Sequence, residues 1–151
     1  MLDPRLRRKI EGALRAQGFF RFLDTEITAL DRGTCTLALR RRPQLLQQNG
    51  YIHGGVVAYL VDNASAAAAA TCLRPGQTEL TAEYKLNFIC PATGDTLLCR
   101  AEVVKAGRRM SVVEARVLSR TQDGREDLAA VALTTMAVVA DGEARASVEE
   151  E

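Results

Sequence analysis

Gly54-Gly55-Val56-Val57-Ala58-Tyr59-Leu60-Val61-Asp62-Asn63-Ala64-Ser65, followed by five alanines from Ala66 to Ala70, is the stretch on which the architecture turns. It reads as one helix from Gly54 to about Leu73, stopped by Pro75-Gly76. Apolar residues occupy nearly every side of it, which marks a helix buried all round. Its alanines are small enough to let a neighbouring backbone approach closely, so a sheet is expected tight against it. The apolar region is about long enough to cross a bilayer. Asp62, Asn63 and Ser65 interrupt it, however, and much of it is alanine, so a core helix explains it better than a membrane span.

The flanking sequence supplies the sheet. Before the helix, Thr25, Ile27 and Ala29 alternate with Glu26 and Thr28. After the turn Asp31-Arg32-Gly33, Cys35, Leu37 and Leu39 alternate with Thr36 and Ala38. This period of two is the signature of a half-buried hairpin. Pro43 to Gly50 reads as a loop. After the helix come four strands. In the first, Ala82, Tyr84, Leu86 and Phe88 form the apolar set. The second is centred on Leu97 to Val103 and the third on Val113 to Val117. After the hairpin turn Asp123-Gly124 the last runs from Leu128 to Val139. Asp3-Pro4 opens an N-terminal helix expected to end at Gly18. Helix, two strands, buried helix and four strands make an α+β fold in a single domain over residues 1–140. The acidic stretch 141–151 is expected to be a disordered tail. One sheet around one helix leaves edge strands and apolar surface uncovered, for which a homo-oligomer is the simplest remedy.

Composition removes several function classes. Lys plus Arg number 20 and Asp plus Glu 19, a balance with no general pull toward nucleic acid or an anionic membrane. Cys35, Cys72, Cys90 and Cys99 form no C-x-x-C pair, and His53 is the single histidine. Zinc therefore has poor material, and buried reduced thiols in a cytoplasmic protein are expected. No metal and no separate cofactor is expected.

The chemistry is concentrated where the loop meets the helix. Gly54 and Gly55 let a ligand come close to the backbone. The first N–H groups of a helix lack internal partners and carry the positive end of its dipole, so they can hold the oxyanion of acyl transfer. Asp62 follows Gly55 by about two turns and shares its face. A carboxylate inside an apolar helix is costly unless partnered or used, and Asp62 can serve as general base or as nucleophile. Each feature also has a structural reading. Gly54-Gly55 could be only a tight turn, Asp62 could tie two chains together, and His53 could orient the loop through backbone hydrogen bonds.

The segment Asn49-Gly50-Tyr51-Ile52-His53-Gly54-Gly55, with Leu60-Val61-Asp62, resembles the signature of the hotdog-fold thioesterase superfamily. The similarity is to its branch of phenylacetate-pathway-type (PaaI-like) acyl-CoA thioesterases. Thr81 to Ala92 with Gly94, and Lys105 to Arg108, resemble the strand and hairpin that follow the helix in that family. The resemblance implies a six-stranded antiparallel sheet wrapped around the helix, with active sites at the interface of a homodimer that can pair again into a tetramer. It implies that Asp62 is the catalytic acid, that the Gly55 N–H polarises the thioester carbonyl, and that Thr81 assists. It also implies a role for a loop amide six positions before His53. That position carries Gln47 where the family often has Asn, while Asn49 is nearby but out of register.

Acyl- or aryl-CoA would then be the substrate, with CoA as part of it. Its phosphates call for cations, for which Arg108, Arg109, Lys105 and Arg74 are candidates, arginine offering a fork of donors. Substrate contacts are also expected from His53, Gly54 and Asn49, and Tyr51, Ile52, Tyr59 and Leu60 are candidates for the acyl pocket. Two other readings stand beside hydrolysis. One is a non-catalytic acyl-CoA-binding or regulatory protein, and the other is a hotdog dehydratase or hydratase.

Overall fold

The computed structural model describes residues 1–142. Helix α1 spans Pro4–Ala16, with Asp3 Oδ1 accepting from the Arg5 and Leu6 N–H groups at 2.9 and 3.0 Å. Gly18 does not simply end the helical region, as the sequence suggested. Gln17 turns to extended backbone and Gly18–Phe22 forms a second short helix, α2, which places Phe20 in the core. Strands β1 (Glu26–Asp31) and β2 (Thr34–Arg40) form the expected hairpin, with Gly33 at φ 77° in its turn.

The central helix α3 spans Gly54–Ala70 and stops short of Leu73. Thr71 ends it. Its Oγ1 donates to the Ala68 carbonyl at 2.6 Å and accepts from the Gly33 N–H at 2.7 Å, tying the helix end to the first hairpin. Strands β3 (Gln77–Phe88), β4 (Thr96–Ala106), β5 (Met110–Arg120) and β6 (Glu126–Ala140) complete one six-stranded sheet. Every pairing is antiparallel, in the order β1-β2-β4-β5-β6-β3, so β1 and β3 are the edges. The sheet wraps α3 as the hotdog resemblance implied.

Burial follows from the small residues. Ala64, Ala67, Ala68 and Ala69 are buried against the sheet among Leu37, Leu97, Val113 and Val117. The Ser65 hydroxyl, also buried, donates to Thr134 Oγ1 on β6 at 3.1 Å, which satisfies both polar groups inside the core. The helix is not buried all round. Gly55 is exposed, and Ala58, Asp62, Ala66 and Ala70 are only half-buried, forming one open stripe along it.

Strand β3 departs from simple alternation. Its pairing with β6 shifts between Thr81 and Glu83, leaving Ala82 as an extra residue. Such a bulge changes which side chains face which side of a sheet. Thr81 pairs with the buried Met136, and Tyr84, Leu86 and Phe88 pair with Thr134, Ala132 and Ala130 of the same β6 face. Odd residues before the bulge and even ones after it therefore face the helix. The alternation read from Ala82 onward holds only on one side of the break.

The charged tail expected over 141–151 lies mostly outside the described residues. Asp141 itself is held, its N–H bonded to the Gly76 carbonyl at 3.1 Å and its carboxylate 3.7 Å from Lys9 Nζ. Near it, Glu79 is a half-buried carboxyl whose Oε2 lies out of contact with solvent and without a hydrogen-bond partner among the described residues. Burial pushes its pKa up to about 7, with Lys9 opposing the shift and Asp141 adding to it. The unfolded chain would ionise near the ordinary carboxyl value, so the folded state holds the extra proton between the two values. Stability from this group falls as pH rises through that window and stays low above about pH 7. Glu79→Gln is expected to raise Tm at about pH 8 and to change it little at about pH 4, where both states are protonated. Thermal melts at the two pH values check this.

Candidate active site

The loop from Arg41 to His53 delivers the chain to the start of α3. Pro43–Leu45 forms a single 3-10 turn, Leu46 bridges to Ile52, and the His53 N–H donates to the Leu45 carbonyl at 2.8 Å. His53 is the N-cap residue, and its Nδ1 accepts from the Gly55 N–H at 2.8 Å. The donor that the resemblance assigns to a thioester carbonyl is thus occupied by an exposed imidazole. A side chain at Gly54 would come within 3.1 Å of the Phe88 ring and one at Gly55 within 3.1 Å of His53 Nδ1, so both glycines keep the helix start clear.

Asp62 lies on the open stripe of α3 together with Gly55, seven residues apart and about two helical turns along. The sequence suggested a deeply buried acid, but Asp62 is half-buried and partnered. Thr81 Oγ1 donates to its Oδ1 at 2.6 Å. This contact depends on the bulge at Ala82, since without the break Thr81 would share a face with Glu83 and Lys85. Oδ2 has no protein partner among the hydrogen bonds of the described residues, leaving an acceptor next to open space. Asn63 turns away and donates to the Tyr59 carbonyl at 3.3 Å.

Gln47 lies beside the helix start. Together with Tyr51, Ile52, Gly54, Val57 and Phe88 it lines a cavity of about 400 Å³. Its Oε1 accepts from the Asn49 N–H at 2.7 Å, while Asn49 itself is exposed in the turn. Tyr51 and Ile52 thus reach a cavity as expected, but Tyr59 and Leu60 do not line it. Leu60 is fully buried, and the Tyr59 hydroxyl lies 3.0 Å from Thr25 Oγ1 with its ring edge-on to Phe19 at 5.0 Å. Their positions on α3 point them into the core, away from the open stripe.

The cations gather at the other end of α3. Arg108 and Arg74 line a cavity of about 770 Å³ that also includes Arg32. Arg32 was invisible as a partner in the sequence because only the β1–β2 turn, tied to Thr71, brings it there. Arg109 and Lys105 do not line this cavity. Among the described residues none of the three arginines pairs with a carboxylate. Seventeen residues of α3 place this cluster about 25 Å from Gly54.

A family model described as "Thioesterase superfamily" matches residues 49–125, which hold the end of the loop, α3 with Asp62, and strands β3 to β5. The chain belongs to the thioesterase superfamily. Its fold is that of the thioester hydrolases it resembles. A putative esterase of Saccharolobus solfataricus, SSO1253, is 31% identical over 130 residues, covering 86% of this chain and 83% of the relative. The acyl-coenzyme A thioesterase PaaI of Escherichia coli is 27% identical over 101 residues, covering 66% of this chain and 70% of PaaI. The crystal structure of a thioesterase family protein from Silicibacter pomeroyi superposes with a TM-score of 0.86 at 31% identity, over 89% of this chain and 98% of that one.

Of the thiols, Cys90 lines the cavity beside Gln47 and Cys72 the one with the arginines. Cys35 and Cys99 are buried, and burial pushes the Cys35 thiol up to about 12 and Cys99 higher still, so neither supplies a thiolate. Among the described residues no group of three His, Cys, Asp or Glu is placed to hold a metal ion, and no helix is long and apolar enough to cross a membrane. His53→Ala removes the side-chain cap of α3 and is expected to cost about 1 kcal/mol of stability. Urea denaturation would measure it, and an unchanged midpoint would show that the imidazole contact contributes nothing.

Proposed function

We propose that this chain hydrolyses acyl-CoA or aryl-CoA thioesters to free acid and CoA, with Asp62 as the catalytic carboxylate. The observation that carries the reading is the Asp62–Thr81 pair on the same open stripe of α3 as the Gly55 N–H. Thr81 fixes one carboxylate oxygen and leaves the other free. Asp62 then either takes a proton from water, which attacks the thioester carbon, or attacks that carbon itself to give an anhydride that water opens. In both routes the C–S bond breaks and the CoA thiolate leaves. Gly55 of the same chain lies about 10 Å from Asp62 along α3, so the carbonyl oxygen of a thioester at Asp62 is held by the N–H of Gly55 of the partner subunit. There the exposed imidazole gives way to it, and the adjoining Gln47 can place the water or the carbonyl. The name of the E. coli relative, an acyl-coenzyme A thioesterase, supports CoA as the carrier.

Asp62→Asn keeps shape and removes the charge, and a general base is worth typically 10²–10⁴-fold, so kcat should fall by about that much. A thiol-release assay on a panel of acyl-CoAs, run beside thermal melts, reads the outcome. A folded Asp62→Asn variant at wild-type rate would remove Asp62 from the mechanism. A wild-type protein that binds these esters without releasing thiol would instead be a binding module.

The working unit in this proposal is a homodimer. Strand β3 is a twelve-residue edge with Leu80, Tyr84 and Phe88 exposed, and the neighbouring Ile89 and Leu133 are exposed too. A second β3 paired antiparallel would cover that edge and extend the sheet. It would also run the partner's α3 in the opposite sense, which brings the helix start of one chain toward Asp62 of the other. Subunit mixing tests both ideas. Asp62→Asn chains and Gly55→Pro chains, which lack the N–H donor, should each be weakly active with CoA esters. Their hybrid should regain activity through the one site that keeps both parts. Hybrids no more active than their parents, or a monomer in sedimentation, would refute the shared site.

A further inference from the structure

A third cavity, of about 610 Å³, opens between α1, the C-terminal half of α3 and the start of β3. It is distinct from the cavity beside Gln47. Its walls are mainly apolar, with Leu6, Ile10 and Leu14 from α1 and Ala66 and Ala70 from α3, and the charged Asp3, Lys9 and Arg74 also line it. Ala66 is one helical turn beyond Asp62 on the open stripe, and Ala70 one turn further. On the facing strand, Glu79 lines the cavity two residues before Thr81, on the same side of the sheet and about 7 Å along it. The lining therefore begins one turn beyond Asp62 on α3 and two residues short of Thr81 on β3, and runs away from that pair along α3.

Glu79 stands out among the polar residues of this lining. Its Oε2 is out of solvent and has no partner among the described residues, an arrangement that buried polar groups rarely keep without a ligand or water to satisfy it. Lys9 also lines the cavity, but its ammonium is engaged 3.7 Å from the Asp141 carboxylate.

We propose that this cavity receives the acyl chain of the substrate and that Glu79 recognises an uncharged hydroxyl group at the chain's distal end. The inference rests on the hydrolase reading above for the position of the thioester at Asp62. Hydroxyl is the group that fits Glu79 in either protonation state. It donates to the carboxylate and accepts from the carboxylic acid. With the Glu79 pKa raised to about 7, both states are populated near neutrality. A distal ammonium would pair only with the ionised form and would face Lys9 and Arg74, and a distal carboxylate could pair with Arg74 but would meet Glu79 only in its protonated form. The extra N-terminal helix acquires a role here, since α1 supplies one wall of the cavity.

The test compares 6-hydroxyhexanoyl-CoA with hexanoyl-CoA and with adipoyl-CoA, which carries a distal carboxylate. The wild type is expected to favour the hydroxy ester at least about tenfold in kcat/KM, the size of effect that one buried hydrogen bond gives. Glu79→Met, of similar volume but without the acceptor, should abolish that ratio or invert it. A wild-type ratio near one, the same ratio in the Met variant, or a preference for adipoyl-CoA would each overturn the proposal. Ala70→Leu keeps the question open to decision if Glu79→Met does not fold. By narrowing the cavity it should depress kcat/KM for both six-carbon esters relative to acetyl-CoA, and an unchanged ratio counts against the cavity. If no ester is hydrolysed at all, the hydrolase reading fails separately. Isothermal titration with the same pair then decides the subsite, equal or absent binding overturning it and Glu79-dependent preference for the hydroxy ester supporting it.

Discussion

Everything in this molecule depends on how closely a helix can lie against a curved sheet. Ala64, Ala67, Ala68 and Ala69 bring the backbone of α3 down onto β2, β4 and β5 with almost no side chain between. Larger residues would lift the helix and with it Asp62. The buried Ser65–Thr134 hydrogen bond fixes the helix against rotation and sliding, since a shift of even one residue would leave two hydroxyls unpaired in the core. With one side of α3 committed to the sheet, the opposite stripe stays open, and Gly55 and Asp62 occupy it.

Much of this was legible in the residues. The length and apolar character of α3, the hairpins around it and the Gly55–Asp62 spacing follow from periodicities of 3.6 and two. What was not legible depends on breaks in those periods or on contacts between distant segments. The bulge at Ala82 is the clearest case. The alternation of Tyr84, Leu86 and Phe88, carried backward, puts Thr81 on the wrong face, although the resemblance to known thioesterases placed it in the site. The same carried-over pattern hid Glu79. Gly18 looked like a helix stop because glycine often is one, but packing of Phe20 restarts the helix beyond it. Tyr59 and Leu60 looked like pocket residues because they are near Asp62 in sequence. On a helix, adjacent positions point in different directions, and these two point into the core.

The site also shows how a helix start can be held ready without being left unsatisfied. An unfilled N–H at a helix terminus seeks a partner. Here the His53 imidazole supplies one from the surface, where it can be exchanged for a ligand oxygen at little steric cost. Asp62 is treated similarly, with one oxygen anchored by Thr81 and the other facing the open stripe.

The bulge in β3 has a meaning for anyone who would transplant or align this strand. It divides twelve residues into two frames, one carrying Glu79 and Thr81 and the other Tyr84, Leu86 and Phe88 toward the same side. A graft onto a straight strand of equal length preserves composition and scrambles direction. If the aromatic frame governs the pairing, the product folds with its apolar surface intact and its polar end turned to the outside. Such a chimera would be well behaved and inert, and a gap-free alignment would give no warning of it.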